Sequence, residues 1–112
     1  MQPMAETTPL STESGAAANL ARFFPELERV HTQAFLTTGA GHLREAVLVE
    51  FAAASKAIFS SGISVEFGDR IYLANEAGNQ VKARVIAVQF QDGRTAVAAQ
   101  VLNGQFPWVS RP

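Results

Sequence analysis

The stretch QVKARVIAVQFQDGRTAVAAQVL, residues 80–102, decides the fold class. Apolar and polar side chains alternate along its first half, which is the pattern of a β-strand with one buried face. The alternation changes phase near residues 84–86, and one extra residue in the strand, a β-bulge, produces such a change. Asp92-Gly93 is a strong hairpin signal, because both positions tolerate positive φ. A long hairpin is therefore predicted, with strands over 80–90 and 94–102.

Four shorter segments upstream have the same two-residue periodicity. Turns rich in Gly, Ala or Asn separate them, and the last of these turns leads directly into the long hairpin. Short strands at close spacing, joined by hairpins, are typical of an all-β barrel. The four additional strands are predicted near residues 29–36, 43–51, 56–60 and 70–73. The predicted fold is thus a barrel of six antiparallel strands.

The segments that flank the strands differ in character. Residues 1–15 are rich in Thr, Ser, Pro and Glu, which predicts a disordered tail. Residues 16–27 have apolar side chains at helical spacing and predict a short amphipathic helix at the entrance of the barrel. Pro25 disfavours helical geometry at the residue before it, so the alternatives are one helix over 16–24 or two turns around the proline. Residues 28–112 form the predicted barrel domain, which ends in an aromatic C-terminal tail.

The composition indicates one small domain without thiol chemistry. A chain of 112 residues is long enough for a single modest core. It contains no cysteine, which excludes disulfides, thiolate metal sites and thiol catalysis and fits a reducing cytosol. The formal net charge of -1 provides no basic field for nucleic acid or anionic lipid. No apolar run approaches the roughly 18–20 residues that span a bilayer, so we predict a cytoplasmic protein without membrane insertion.

Several segments together resemble the PilZ domain family. VEFGDRIYL at 65–73 is similar to the middle of PilZ domains, where Gly-Asp precedes an alternating strand. VLVEFAAASKAIF at 47–59 resembles the PilZ segment that carries Asp/Asn-x-Ser-x-x-Gly, and 81–88 and 95–102 resemble the last two PilZ strands. The resemblance covers residues 28–109 and depends on the order and spacing of the parts. It implies a six-stranded PilZ-like barrel with a short N-terminal helix.

PilZ domains bind cyclic-di-GMP through an Arg-x-x-x-Arg element and the Asp/Asn-x-Ser-x-x-Gly element. Two guanidiniums clamp phosphates and stack on guanine, while the Asp and Ser bond to a base edge. The best overlay places Glu50 at the Asp, Ala52 at the Ser and Ser55 at the Gly. Arg29 matches the second arginine, whereas Pro25 stands at the first. The resemblance thus implies that Arg29, Glu50 and Ser55 are remnants of a site that no longer holds cyclic-di-GMP.

The sequence contains no pattern for catalysis or metal binding. The two histidines, His31 and His42, have no acidic partner at ligand spacing, and His31 lies on the outer phase of a strand. Glu45 and Glu50 are placed on opposite faces of one strand, which excludes a carboxylate pair unless the strand is bent. Glu45 shares the apolar phase, and we expect a solvated strand end there. The protein is therefore predicted to be non-enzymatic, without metal or cofactor.

Three functions remain as hypotheses. The first is a non-catalytic PilZ-like signalling domain that acts in protein interaction or oligomerisation. Its interface would contain the aromatic residues Phe23, Phe24, Phe106 and Trp108, for which the alternative is intramolecular packing at the ends of the barrel. The second is a receptor for cyclic-di-GMP or another small molecule with an altered site made from Arg29, Ser55 and Arg22. The third is a nucleic-acid-binding barrel with a positive stripe of Lys82, Arg84 and Arg94, which the balanced charge disfavours.

Overall fold

The computed structural model describes residues 15–38, 43–91 and 93–106, which form one helix and a closed antiparallel barrel. The elements are α1 (Gly15–Ala21), β1 (Glu28–Thr38), β2 (Arg44–Ala52), β3 (Lys56–Ser61), β4 (Arg70–Ala74), β5 (Gln80–Gln91) and β6 (Arg94–Val101). Around the barrel the strand order is β1-β2-β3-β6-β5-β4, and β4 pairs with β1 to close it. The predicted six-stranded all-β barrel is confirmed.

The long hairpin that decided the fold class is β5 and β6. Val85 pairs with Ala99 whereas Ala87 pairs with Ala98, so Ile86 is an extra residue in β5. This bulge confirms the predicted change of phase. Gly93, at the turn, has a φ of 79°, a conformation that glycine adopts without steric cost. Asp92, the other predicted turn residue, lies outside the described residues.

The N-terminal helix is shorter than predicted. It ends at Ala21, and two separate turns follow: the N–H of Phe24 donates to the carbonyl of Ala21, and the N–H of Leu27 donates to the carbonyl of Phe24, each at 3.0 Å. Pro25 lies between these turns, where its ring prevents the residue before it from continuing the helix. The predicted short helix is therefore present but ends before residues 24 and 27, and the predicted turns around the proline follow it.

The barrel wall has apolar residues on both of its faces. The inner face packs into the main core, whose large side chains include Phe59, Leu36 and Ile71. On the outer face, α1 covers a second cluster on β2, β3, β5 and β6. The buried members of this outer cluster are Ala16, Ala17, Leu20, Phe51, Ile58, Ala96 and Ala98. The helix thus lies against the outside of the wall and not at the entrance of the barrel.

An ion pair attaches the segment after the helix to the barrel. The ammonium of Lys56, at the start of β3, lies 3.1 Å from the carboxylate of Glu26. A backbone hydrogen bond, and then the bond to Lys56, hold the pKa of Glu26 below its ordinary value. A lowered folded-state pKa stabilises the fold at neutral pH, and this contribution is lost as the pH falls through that pKa.

The C-terminal aromatic tail contributes to the core. Phe106 is 2% exposed and packs against the main core, and its N–H donates to the carbonyl of Ala54 at 2.9 Å. The predicted cover at one end of the barrel is therefore present for this ring. Trp108 lies outside the described residues, as do residues 1–14 of the predicted tail. Of a turn predicted over 37–41, Thr37 and Thr38 belong to β1 and the other three residues lie outside the described part.

We expect replacement of a buried phenylalanine to lower stability far more than replacement of an exposed one. Phe59 is fully buried at 0% exposure, so Phe59→Ala should lower the free energy of unfolding by about 3–5 kcal/mol through lost burial and a residual cavity. Phe67 is 70% exposed, and Phe67→Ala should change it by less than about 0.5 kcal/mol. Urea unfolding of both variants checks this expectation. Equal losses would contradict the assignment of the core.

Candidate functional site

Two strand irregularities meet at Glu50. On β1, Arg29 pairs with Phe51 and Thr32 pairs with Val49, so two residues of β1 lie opposite Glu50. On the other side of β2 the pairing with β3 also shifts between Val49 and Phe51. Bulges redirect side chains and are frequent beside functional sites. Glu50 is thus at a structurally unusual position.

A cleft of about 260 Å³ opens at this irregularity, lined by Arg29, Val30, His31 and Glu50. Glu50 is only 3% exposed, and its carboxylate accepts a hydrogen bond of 2.9 Å from the hydroxyl of Ser60. The guanidinium of Arg29 lies over the ring of Phe51, 5.3 Å from its centroid. The cleft therefore presents one cation, one imidazole and the edge of a buried carboxylate.

The structure does not gather the other overlay positions around this cleft. Ser55 lies half-buried in the turn between β2 and β3, and its carbonyl accepts the N–H of Val101 at 2.8 Å. Ala52 is buried in the main core, on the inner face of the wall. Arg22 lines a separate cleft with Asn19, Phe23 and Gln89. Among the predicted remnants, only Arg29 and Glu50 share one cleft, and sequence reasoning did not include His31 there.

The four aromatic residues proposed for an interface have different environments. Phe23 is 74% exposed, whereas Phe24 is half-buried against the outer cluster. Phe106 belongs to the main core, so it contributes no surface to a partner in this structure. Trp108 is outside the described part of the chain. Of the proposed set, Phe23 alone is a fully exposed ring among the described residues.

Two further exposed rings were not predicted. Phe90, near the end of β5, is 71% exposed, and Phe67, in the loop before β4, is 70% exposed. Phe90 and its neighbour Val88 follow the bulge in β5, on the phase that points inward elsewhere in the strand. They are exposed because β4 is shorter than β5 and does not cover this end. The phase change was visible in the sequence, but the length of β4 beside it was not.

The expected solvated strand end is present at Leu43 and Arg44, which are exposed, but Glu45 itself is less solvated than predicted. Glu45 is half-buried, and its carboxylate accepts hydrogen bonds from the hydroxyl of Ser61 at 2.8 Å and from the N–H of Gly62 at 2.8 Å. A Cβ atom at Gly62 would lie 3.1 Å from this carboxylate, which explains the glycine. Ser61 is the last residue of β3, one residue beyond the predicted strand. Glu45 therefore fixes the start of the β3–β4 loop.

Replacement of Glu45 tests this role. Glu45→Gln removes the charge and one acceptor from a site with several donors, and should lower the free energy of unfolding by about 1–3 kcal/mol. Glu28→Gln, at the exposed start of β1, is the matched control and should have almost no effect. Urea unfolding at neutral pH measures both. A Glu45 variant as stable as the control would mean that the carboxylate does not hold the loop.

The positive stripe proposed for nucleic acid is not assembled as predicted. Arg94 pairs with Gln91 at the turn of the long hairpin, whereas Arg84 lies further along β5. Arg84 instead faces Arg70 directly across the β4–β5 ladder, and Lys82 faces Tyr72. Like charges that face each other on neighbouring strands are destabilising. The outer face of β4 and β5 is thus a small basic cluster, defined by Arg70, Lys82 and Arg84.

Removal of one member of the Arg70–Arg84 pair should stabilise the protein. We expect Arg70→Thr to raise the free energy of unfolding by about 0.2–1 kcal/mol at low salt, and by less at high salt because screening weakens the repulsion. Arg94→Thr is the control, because Arg94 faces an uncharged residue. Urea unfolding at two salt concentrations distinguishes the variants. A loss of stability in the Arg70 variant would contradict the repulsive pair.

Other site types and comparisons with known proteins add little. Among the described residues, no group of three or more His, Asp or Glu side chains is arranged to hold a metal ion. In the same part of the chain, no helix has the length and apolarity needed to cross a bilayer. No protein-family model matches the chain, and a search of curated proteins finds no significantly similar sequence.

Proposed function

We propose that this protein is a non-enzymatic PilZ-like domain that acts in cytoplasmic signalling through contacts with protein, without holding cyclic-di-GMP. The observation that carries the proposal is a contrast between two surfaces. Among the described residues, the cleft at the remnant nucleotide positions is lined by a single arginine, whereas three phenylalanine rings elsewhere are more than two-thirds exposed: Phe23 at 74%, Phe90 at 71% and Phe67 at 70%.

The nucleotide half of the proposal depends on charge and hydrogen bonding. A cyclic dinucleotide has two phosphates, and a clamp needs guanidinium groups that reach both. Arg29 lines the cleft, but Pro25 occupies the first arginine position, and Arg22 lines a different cleft. Glu50, an acidic residue, lines the same cleft as Arg29 and disfavours a phosphate there. Removal of one partner of a buried charged pair typically costs about 2–5 kcal/mol of binding free energy.

The interaction half of the proposal depends on exposed apolar area. Phenylalanine is enriched in the centres of protein interfaces, and isolated exposed rings of this size are costly to leave in water. Phe90 belongs to β5, and Phe23 lines a cleft together with Gln89 of the same strand. Exposed apolar area of this extent among the described residues is best explained by a partner that covers it.

Calorimetric titration with cyclic-di-GMP tests the proposal. The full chain should give no binding heat at micromolar nucleotide, and Arg29→Ala should behave in the same way. A micromolar dissociation constant that Arg29→Ala abolishes would contradict the proposal and establish a nucleotide receptor. Arg22→Ala is the matched control, because Arg22 lies in a different cleft and its loss should not alter binding at Arg29.

A second candidate function is a small-molecule receptor, and the cleft beside Arg29 favours it. Its volume of about 260 Å³ suits a ligand smaller than a dinucleotide, and the imidazole of His31 adds a donor or acceptor to the guanidinium. Amide chemical shifts during a titration with guanosine monophosphate distinguish the candidates. Saturable shifts confined to residues 29–31 and Glu50 would favour the receptor, whereas no shifts would favour the interaction domain.

A further inference from the structure

We infer that the partner of the exposed apolar surface is a second copy of this chain, and that the two copies pair antiparallel through residues 86–91 of β5. The inference rests on the proposed function, because it names the occupant of the surface proposed there. We call residues 86–91 the free edge. Its pairing would extend the sheet of each barrel across a twofold axis.

The free edge begins just beyond the first residue of β4, because the two strands are antiparallel. The β4–β5 ladder runs from Ala74 opposite Gln80 to Arg70 opposite Arg84. The chain just before β4 adds two further bonds to Val85: its N–H donates to the carbonyl of Asp69 at 2.9 Å, and its carbonyl accepts the N–H of Gly68 at 2.8 Å. Beyond Val85, no described residue pairs with β5 on this side. On the other side, β6 pairs with it as far as Gln91.

Beyond the bulge at Ile86, the free edge lacks two of the features that protect an edge strand. Its sequence, IAVQFQ, contains no charged residue and no proline. Val88 is 37% exposed and Phe90 is 71% exposed. A single unpaired segment of this kind offers both backbone hydrogen bonds and apolar side chains to another strand. It is therefore a surface suited to strand addition.

The absence of charge identifies a second copy as the occupant. One antiparallel register places Gln89 opposite Gln89 of the second copy and, on the other face, Val88 opposite Phe90 of that copy, twice by symmetry. Aromatic and β-branched side chains are favourable cross-strand pairs. No like charges meet within the paired stretch, and the net charge of -1 gives little repulsion between copies. A twofold pairing also uses both free edges and leaves none exposed.

Sedimentation equilibrium of the full chain tests the inference. The protein should be a dimer, and Phe90→Lys should raise the dimer dissociation constant by about a hundredfold, roughly tenfold for each of the two symmetry-related rings. Phe67→Lys is the matched control, because Phe67 is exposed to the same extent but lies outside the free edge, so its dimer should persist. Far-UV circular dichroism verifies that both variants remain folded.

Three outcomes would overturn the inference. They are a monomer at every concentration, a Phe67 variant that dissociates as readily as the Phe90 variant, and a Phe90 variant with an unchanged dissociation constant. The result is independent of the nucleotide titration. A monomer that does not bind cyclic-di-GMP would refute only the second copy as partner. A dimer that binds the nucleotide would refute only the proposed function.

Discussion

The bulge at Ile86 is the constraint on which the rest of the structure depends. Before it, Ala83 and Val85 point into the barrel and pack in the main core. At it, Ile86 and Ala87 both contact the outer cluster beneath α1. After it, Val88 and Phe90 take the inward phase at a height where no β4 residue covers them. One extra residue thus determines which side chains of β5 face the core, which contact the helix cluster and which are exposed.

The apolar outer face of the wall explains why so short a helix is held in place. Seven residues do not form a stable helix alone, so α1 needs an apolar surface to pack against. The outer face supplies it through Ile58, Ala96 and Ala98, whose small or branched side chains allow a close approach. The wall between helix and core is therefore apolar on both faces. This arrangement resembles the buried strands of layered folds more than the alternating strands of an open sheet.

The sequence was sufficient for the barrel because its main signals are local. Alternation, the phase change near Val85 and the glycine at the hairpin turn each depend on neighbouring residues alone. The placement of α1 was not predictable in this way, since Ala96 to Ala99 are small and apolar on both phases and do not say which face is covered. The early end of the β4–β5 ladder depends on the relative lengths of the two strands, and sequence periodicity does not predict these lengths.

The candidate site was predicted only in part, for a similar reason. The overlay with the PilZ motif selected Arg29 and Glu50, and these residues line one cleft. It also selected Ser55, which lies in the turn after β2 and outside this cleft. The overlay failed there because it counts residues along the sequence and takes no account of bulges. The shift at Glu50 moves every later residue of β2 to the other face. The hydrogen bonds of Glu45 were not predicted because the donors, Ser61 and Gly62, are distant from it in sequence.

Amide hydrogen exchange in dilute solution tests most directly whether β5 has a neighbouring strand on one side only beyond the bulge. Residues 83–85 bond to strands or loop on both sides, so their amides should exchange slowly. Within residues 86–91, the amides that do not point to β6 should exchange rapidly, giving an alternating pattern along the strand. Uniform protection from residue 83 to residue 91 in the dilute protein would contradict a free edge and the account built on it.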